Sequence, residues 1–85
     1  TNKGKFNTAI MLLELETINV TKTDINATID MYEGYTKNIL IKDLADTLDK
    51  TLSTSVLKIV EKLTKTEILV LITKALASWD VMYGS

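Results

Sequence analysis

The side chains of this chain that could do chemistry are lysines and hydroxyls, and they gather in one stretch. Between positions 50 and 65, Lys50, Lys58, Lys62 and Lys65 are opposed only by Glu61. Thr51, Ser53, Thr54 and Ser55 lie among them. Ammonium groups, and hydroxyls at a helix N-terminus, are the groups that contact phosphate. The chemistry to expect of this stretch is therefore recognition of a phosphate backbone. Lys58 and Lys62 are spaced i, i+4, so a helix sets them on one face.

Catalysis is not expected. The chain has no histidine and no cysteine. It therefore has no imidazole base near neutral pH and no thiol nucleophile. His/Cys metal sites and disulfides are excluded as well. Carboxylates remain. Asp43, Asp46 and Asp49 fall at i, i+3, i+6 on the outer side of an amphipathic segment, where a solvated face is the expected role. Glu14 and Glu16 are too close in sequence to share a helical face. Glu33-Gly34-Tyr35 has one glycine and is no phosphate cradle. Asp24 and Asp30 lack the glycine and terminal glutamate of a calcium loop. No metal and no cofactor is expected.

The elements that must position the lysines are two short amphipathic helices. Ile41, Leu44, Ala45 and Leu48 are spaced i, i+3, i+4, i+7, and so are Val56, Ile59, Val60 and Leu63. The polar junction between them is rich in N-cap residues, which predicts a helix start at Ser53 or Ser55. Leu44, Leu48, Val60 and Leu63 are expected to form the centre of the fold. Three further helices complete an all-α reading of about five short helices. The first runs from Phe6 to about Ile18. The second follows the caps of Thr21 to Asp24, with Ile25, Ile29 and Tyr32 facing inward, and stops at Gly34. Tyr35 to Asn38 form a loop. The last runs from the capping box of Thr64 and Glu67 to about Tyr83.

From Val20 to Leu63 the sequence resembles the helix-turn-helix core of winged-helix regulators of the MarR type. The resemblance is carried by Val20-Thr21-Lys22-Thr23-Asp24, by Ile41-Lys42-Asp43-Leu44-Ala45-Asp46-Thr47-Leu48, by the hydroxyl-rich turn Thr51 to Ser55, and by Val56 to Leu63. It implies duplex DNA as the partner and the helix from Ser53 to Leu63 as the element offered to the groove. Asp49 stands where that family often has glycine. After Leu63 the chain enters an apolar segment instead of a glycine-bearing basic hairpin, so the resemblance implies a core without its wing.

Composition sets the outer bounds. The 85 residues make one domain, 1–85, with a hydrophobic fraction of 46%. All ten basic residues are lysine and the net charge is −1, so no molecule-wide basic field draws in nucleic acid. The helix after Ser53 carries no arginine for guanine and no outward Asn or Gln for adenine. The bias to Lys, Asn, Ile and Thr fits an A+T-rich genome, such as that of a phage or plasmid. The apolar runs Ala9 to Leu13 and Ile68 to Ile72 fall far short of the ~20 residues a membrane span needs. Glu14 and Glu16 interrupt any signal-peptide reading of the N-terminal stretch, and a cytoplasmic location is expected.

Ile68, Leu69, Val70, Leu71 and Ile72 are five consecutive apolar residues, more than one stripe of a helix needs. With Leu76, Trp79, Met82 and Tyr83 they form the expected interface of a homodimer, since a two-fold copy is the simplest cover. The primary expectation is a small helix-turn-helix DNA-binding regulator acting in transcription. The alternative is a helical interaction module that binds and modulates a protein partner without touching DNA.

Overall fold

The computed structural model describes residues 2–48 and 51–83, and these form five helices with no strand among them. They are α1 (Asn2–Leu12), α2 (Lys22–Met31), α3 (Lys37–Thr47), α4 (Thr54–Glu61) and α5 (Lys65–Tyr83). The all-α expectation holds.

Local sequence chemistry accounts for most of the boundaries. Thr21 and Asp24 form a reciprocal capping box at the start of α2. The Thr36 side chain accepts from Ile39 N–H at the start of α3. Thr64 and Glu67 repeat the box at α5, with Thr64 N–H 2.9 Å from the Glu67 carboxylate. Between α2 and α3 the chain turns at Gly34, whose φ of +85° is a conformation L side chains rarely adopt.

The first helix ends earlier than the expected Ile18. Leu15 N–H reaches back to Ile10 O at 2.9 Å, and Glu14 N–H to Met11 O at 3.1 Å. This is a Schellman closure, and Glu14 occupies its left-handed position with φ 60°. Leu15, 1% exposed, is drawn into the core by the reversal. A side chain other than glycine in this conformation costs about 1–2 kcal/mol. Glu14→Gly is therefore expected to raise stability by up to about 1 kcal/mol, read as a higher urea midpoint. A lower midpoint would mean that the Glu14 side chain itself holds the turn.

The long α5 is the centre of the molecule. Its closest packing is with α3, then with α2, while α1 packs on α4. Lys37 Nζ, at the start of α3, donates to the carbonyl of Glu61, just ahead of α5. Trp79 Nε1, late in α5, donates to the carbonyl of Thr47 at the end of α3. These two contacts make α3 run parallel to α5. The α2 helix runs antiparallel, since Val20 and Asp24 sit beside Leu76 and Ala77 while Tyr32 sits beside Lys65 and Leu69. Lys74 Nζ bonds Ile18 O at 2.7 Å and ties the α1–α2 connection to another side of α5.

This arrangement corrects the expected dimer interface. Ile68, Leu71 and Ile72 are 0% exposed and Leu69 is 5% exposed within the single chain. Their own neighbours already cover them, so these four side chains have nothing to offer a second copy. Val70 is half-buried. Leu76 and Trp79 keep exposed surface. Met82 and Tyr83 lie in the last turn of α5, and their side chains are outside the described residues. The apolar girdle is an internal core, which is what a central helix requires.

Of the expected central residues, Leu44, Val60 and Leu63 are buried, whereas Leu48 is only partly so. Leu40, Ala9 and Thr28 are buried too. The Thr28 hydroxyl is satisfied by Asp24 O at 3.1 Å, so its burial leaves no orphan group.

Candidate nucleic-acid interface

The second helix of the 41–63 motif is α4, and its start follows from one serine. Ser53 is extended (φ −67°, ψ 159°), and its side chain accepts from Val56 N–H at 3.4 Å. Leu57 N–H then bonds Ser53 O at 2.9 Å and begins the helical ladder. Val60 is wholly buried and Val56, Leu57 and Ile59 are partly so, which turns one face of α4 inward. Lys62 is the C-cap.

The opposite face is open. Thr54, Ser55, Lys58, Glu61 and Lys62 are all exposed, as are Thr51 before the helix and Lys65 after it. Eight residues at 1.5 Å rise make α4 about 12 Å long, with Lys58 and Lys62 about one turn apart. Ser53 is exposed too, but its hydroxyl is already engaged as the cap. Lys50, like Asp49, lies outside the described residues. Among the described residues, no ion pair or side-chain hydrogen bond occupies the ammonium of Lys58 or Lys62.

One cation of this surface escaped the sequence reading. Lys37, through its bond to Glu61 O, stands at the C-terminal end of α4 beside Lys62. That contact spans 24 residues and joins two helices, so no local spacing rule could announce it. The surface thus draws on three elements: Lys37 from α3, Lys58 and Lys62 from α4, and Lys65 from α5. Its nearest carboxylates differ in availability. Glu67 is held by Thr64, Glu33 is exposed and shares a groove with Lys65, and Glu61 is exposed between Lys58 and Lys62.

Two features of a winged helix-turn-helix, a hairpin wing after the second motif helix and a tight crossing of the two motif helices, do not occur among the described residues. Only three residues separate α4 from α5, so the chain has no room there for a hairpin wing. The α3 helix packs most closely on α5, and α4 on α1, in place of a tight crossing of α3 and α4.

Elsewhere the described surface carries shallow grooves of mixed polar and apolar lining, among them one of about 230 Å³ where Tyr32 and Glu33 meet Lys65 and Leu69. A second, of about 210 Å³, lies between α2 and α5, floored by Ala27, Thr28, Thr73 and Ala77 and bordered by Leu76. Another of about 200 Å³ lies where the end of α1 meets the start of α4, lined by Leu12, Leu52 and Val56. Tyr32 and Tyr35 pack edge to face, with centroids 5.0 Å apart at 88°. Burial raises the Tyr32 phenol above its ordinary 10, with the charge of Asp43 and then Tyr35 adding to it. The phenol is neutral at physiological pH. No group of three or more His, Cys, Asp or Glu able to hold a metal occurs among the described residues, and no helix there is long and apolar enough to cross a membrane.

No protein-family model, curated protein or solved structure matches the chain.

Proposed function

We propose that the chain is a small DNA-binding regulatory domain, acting in the cytoplasm, that offers the outward face of α4 to duplex DNA. The observation that carries this reading is the open face of α4. Val60 anchors the helix from within, while Lys58 and Lys62 stand free of protein acceptors among the described residues. A phosphate oxygen is the natural partner for such a pair. The same helix is the one that the MarR-type resemblance would offer to DNA.

Titration of a short labelled duplex at low and at moderate salt tests the reading. The wild type should bind at low salt and weaken as salt rises. Lys58→Glu/Lys62→Glu should bind more weakly, with a salt slope lower by about two, one per lost phosphate contact. Absence of wild-type binding at low salt, or equal binding by the folded double variant, would remove DNA from the reading.

A second reading, a module that binds a protein partner, is favoured by Leu76, 37% exposed beside the α2–α5 groove, and by Trp79, 42% exposed where α5 meets the end of α3. Those two residues and half-buried Val70 are also the expected interface positions of α5 that keep surface for a two-fold dimer, which would set two copies of α4 at a fixed spacing.

A further inference from the structure

We propose that this surface holds duplex DNA through phosphates alone, with Lys37 as a contact residue, and that it does not discriminate between base sequences. The inference rests on the DNA-binding reading above and specifies what kind of DNA contact it is.

The first ground is the inventory of the exposed face. Base readout needs side chains whose donors and acceptors match a base edge: Arg or Lys for guanine, Asn or Gln for adenine, an acidic side chain for cytosine. The open face of α4 carries Thr54, Ser55, Lys58, Glu61 and Lys62. The two hydroxyls are short and accept either partner. Glu61, the one carboxylate, sits at the helix C-terminal end between the two lysines, where phosphates would lie. The lysines remain as the long donors; a lysine can reach guanine, but as a mobile point charge without arginine's planar fork it holds a base edge loosely and pairs as readily with a phosphate oxygen.

The second ground is the place of Lys37. The C-terminal end of a helix carries a partial negative charge that repels phosphate. Lys58 and Lys62 lie in the last turn and a half of α4, near that end. Lys37 Nζ caps the Glu61 carbonyl there. Its positive charge offsets the carbonyl end and adds to the field that a phosphate would meet. A phosphate row approaching Lys58 and Lys62 would therefore meet the charge of Lys37 at the C-terminal end of α4. Glu33 and Glu67 stand near Lys65 and offset it, so the positive charge concentrates on Lys37, Lys58 and Lys62, opposed by Glu61, on a chain whose net charge is −1. Such a surface attracts any duplex and repels none by sequence.

Competition and salt titration test this together. Unlabelled A+T-rich, G+C-rich and mixed duplexes of one length compete against a labelled duplex at fixed low salt. The expected result is near-equal competition, against the ~10³-fold or greater preference of a sequence-specific binder. Lys37→Gln should lower the salt slope by about one, and Lys37→Arg should restore it. Thermal melting by circular dichroism, run on each variant, separates this effect from unfolding. A duplex that outcompetes the others by more than about tenfold would overturn the absence of base readout while leaving DNA binding in place. An unchanged slope in a folded Lys37→Gln would overturn the role of Lys37. Failure of the wild type to bind any duplex would overturn both this inference and the function on which it rests.

Discussion

Leu71→Glu is expected to unfold the chain, not to dissociate an assembly. Leu71 is 0% exposed within a single chain, in a helix packed by α2 and α3. A carboxylate placed there would have no partner and no water, a penalty of several kcal/mol on top of the lost apolar contacts. Domains of this kind hold only about 5–15 kcal/mol in total. Leu76→Glu is the matched control, since Leu76 is 37% exposed and should tolerate a charge within about 1 kcal/mol. Circular dichroism melts and light scattering at micromolar concentration read the two cases separately. If Leu71→Glu kept its helical signal and only lowered the molecular mass, the apolar girdle would belong to an interface after all. If Leu76→Glu lowered the mass while remaining folded, a dimer would run through the exposed part of α5.

That contrast marks where sequence reading stops. The excess of apolar residues in Ile68 to Ile72 is plain in the sequence, and so is the conclusion that one stripe cannot hold them. Whether the cover comes from the same chain or from a copy is a tertiary fact. It depends on α2 running back along α5 and α3 running with it, and nothing in the spacing of either helix specifies those directions. The helix starts were legible because they are local. Ser53, Thr64 and Glu67 each bond a backbone group three residues away. The end of α1 was not legible. Its left-handed position holds Glu14 instead of glycine, so the usual punctuation is missing and the helix seemed to run on.

The candidate site divides in the same way. The lysines of α4 share a face by simple periodicity, and their exposure follows once Val60 is placed in the core. Lys37 could not be added by any such rule, because its place on the surface comes from a bond between two helices. That a capped helix and not a hairpin follows Leu63 was legible, since the capping box of α5 begins at Thr64, directly after the last core residue of the motif. The pairing of α4 with α1 was not. The first helix contributes Ala9 to the core and the turn after it contributes Leu13, and the helix takes the place beside α4 that the helix-turn-helix resemblance gives to the preceding helix.

The second large effect concerns the seat of α4. Leu44→Ala and Leu63→Ala should each cost about 2–5 kcal/mol, whereas Leu48→Ala should cost clearly less. Leu44 is 0% exposed and Leu63 is 1% exposed, so truncation at either leaves a cavity as well as losing burial. Leu48 is the C-cap of α3 and only partly buried, so water can fill the space that its side chain leaves. Urea midpoints at constant slope measure the difference directly. Leu63 carries a further consequence. It follows α4 directly, and its N–H bonds Val60 O at 3.0 Å, so it holds the end of the helix that bears Lys62. In a Leu63→Ala chain kept folded by low temperature, α4 should lose its fixed position while every lysine remains. DNA affinity should then fall with an unchanged salt slope, because the slope counts phosphate contacts and not the rigidity of their support. A Leu48→Ala midpoint as low as that of Leu63→Ala would instead place the end of α3 in the core.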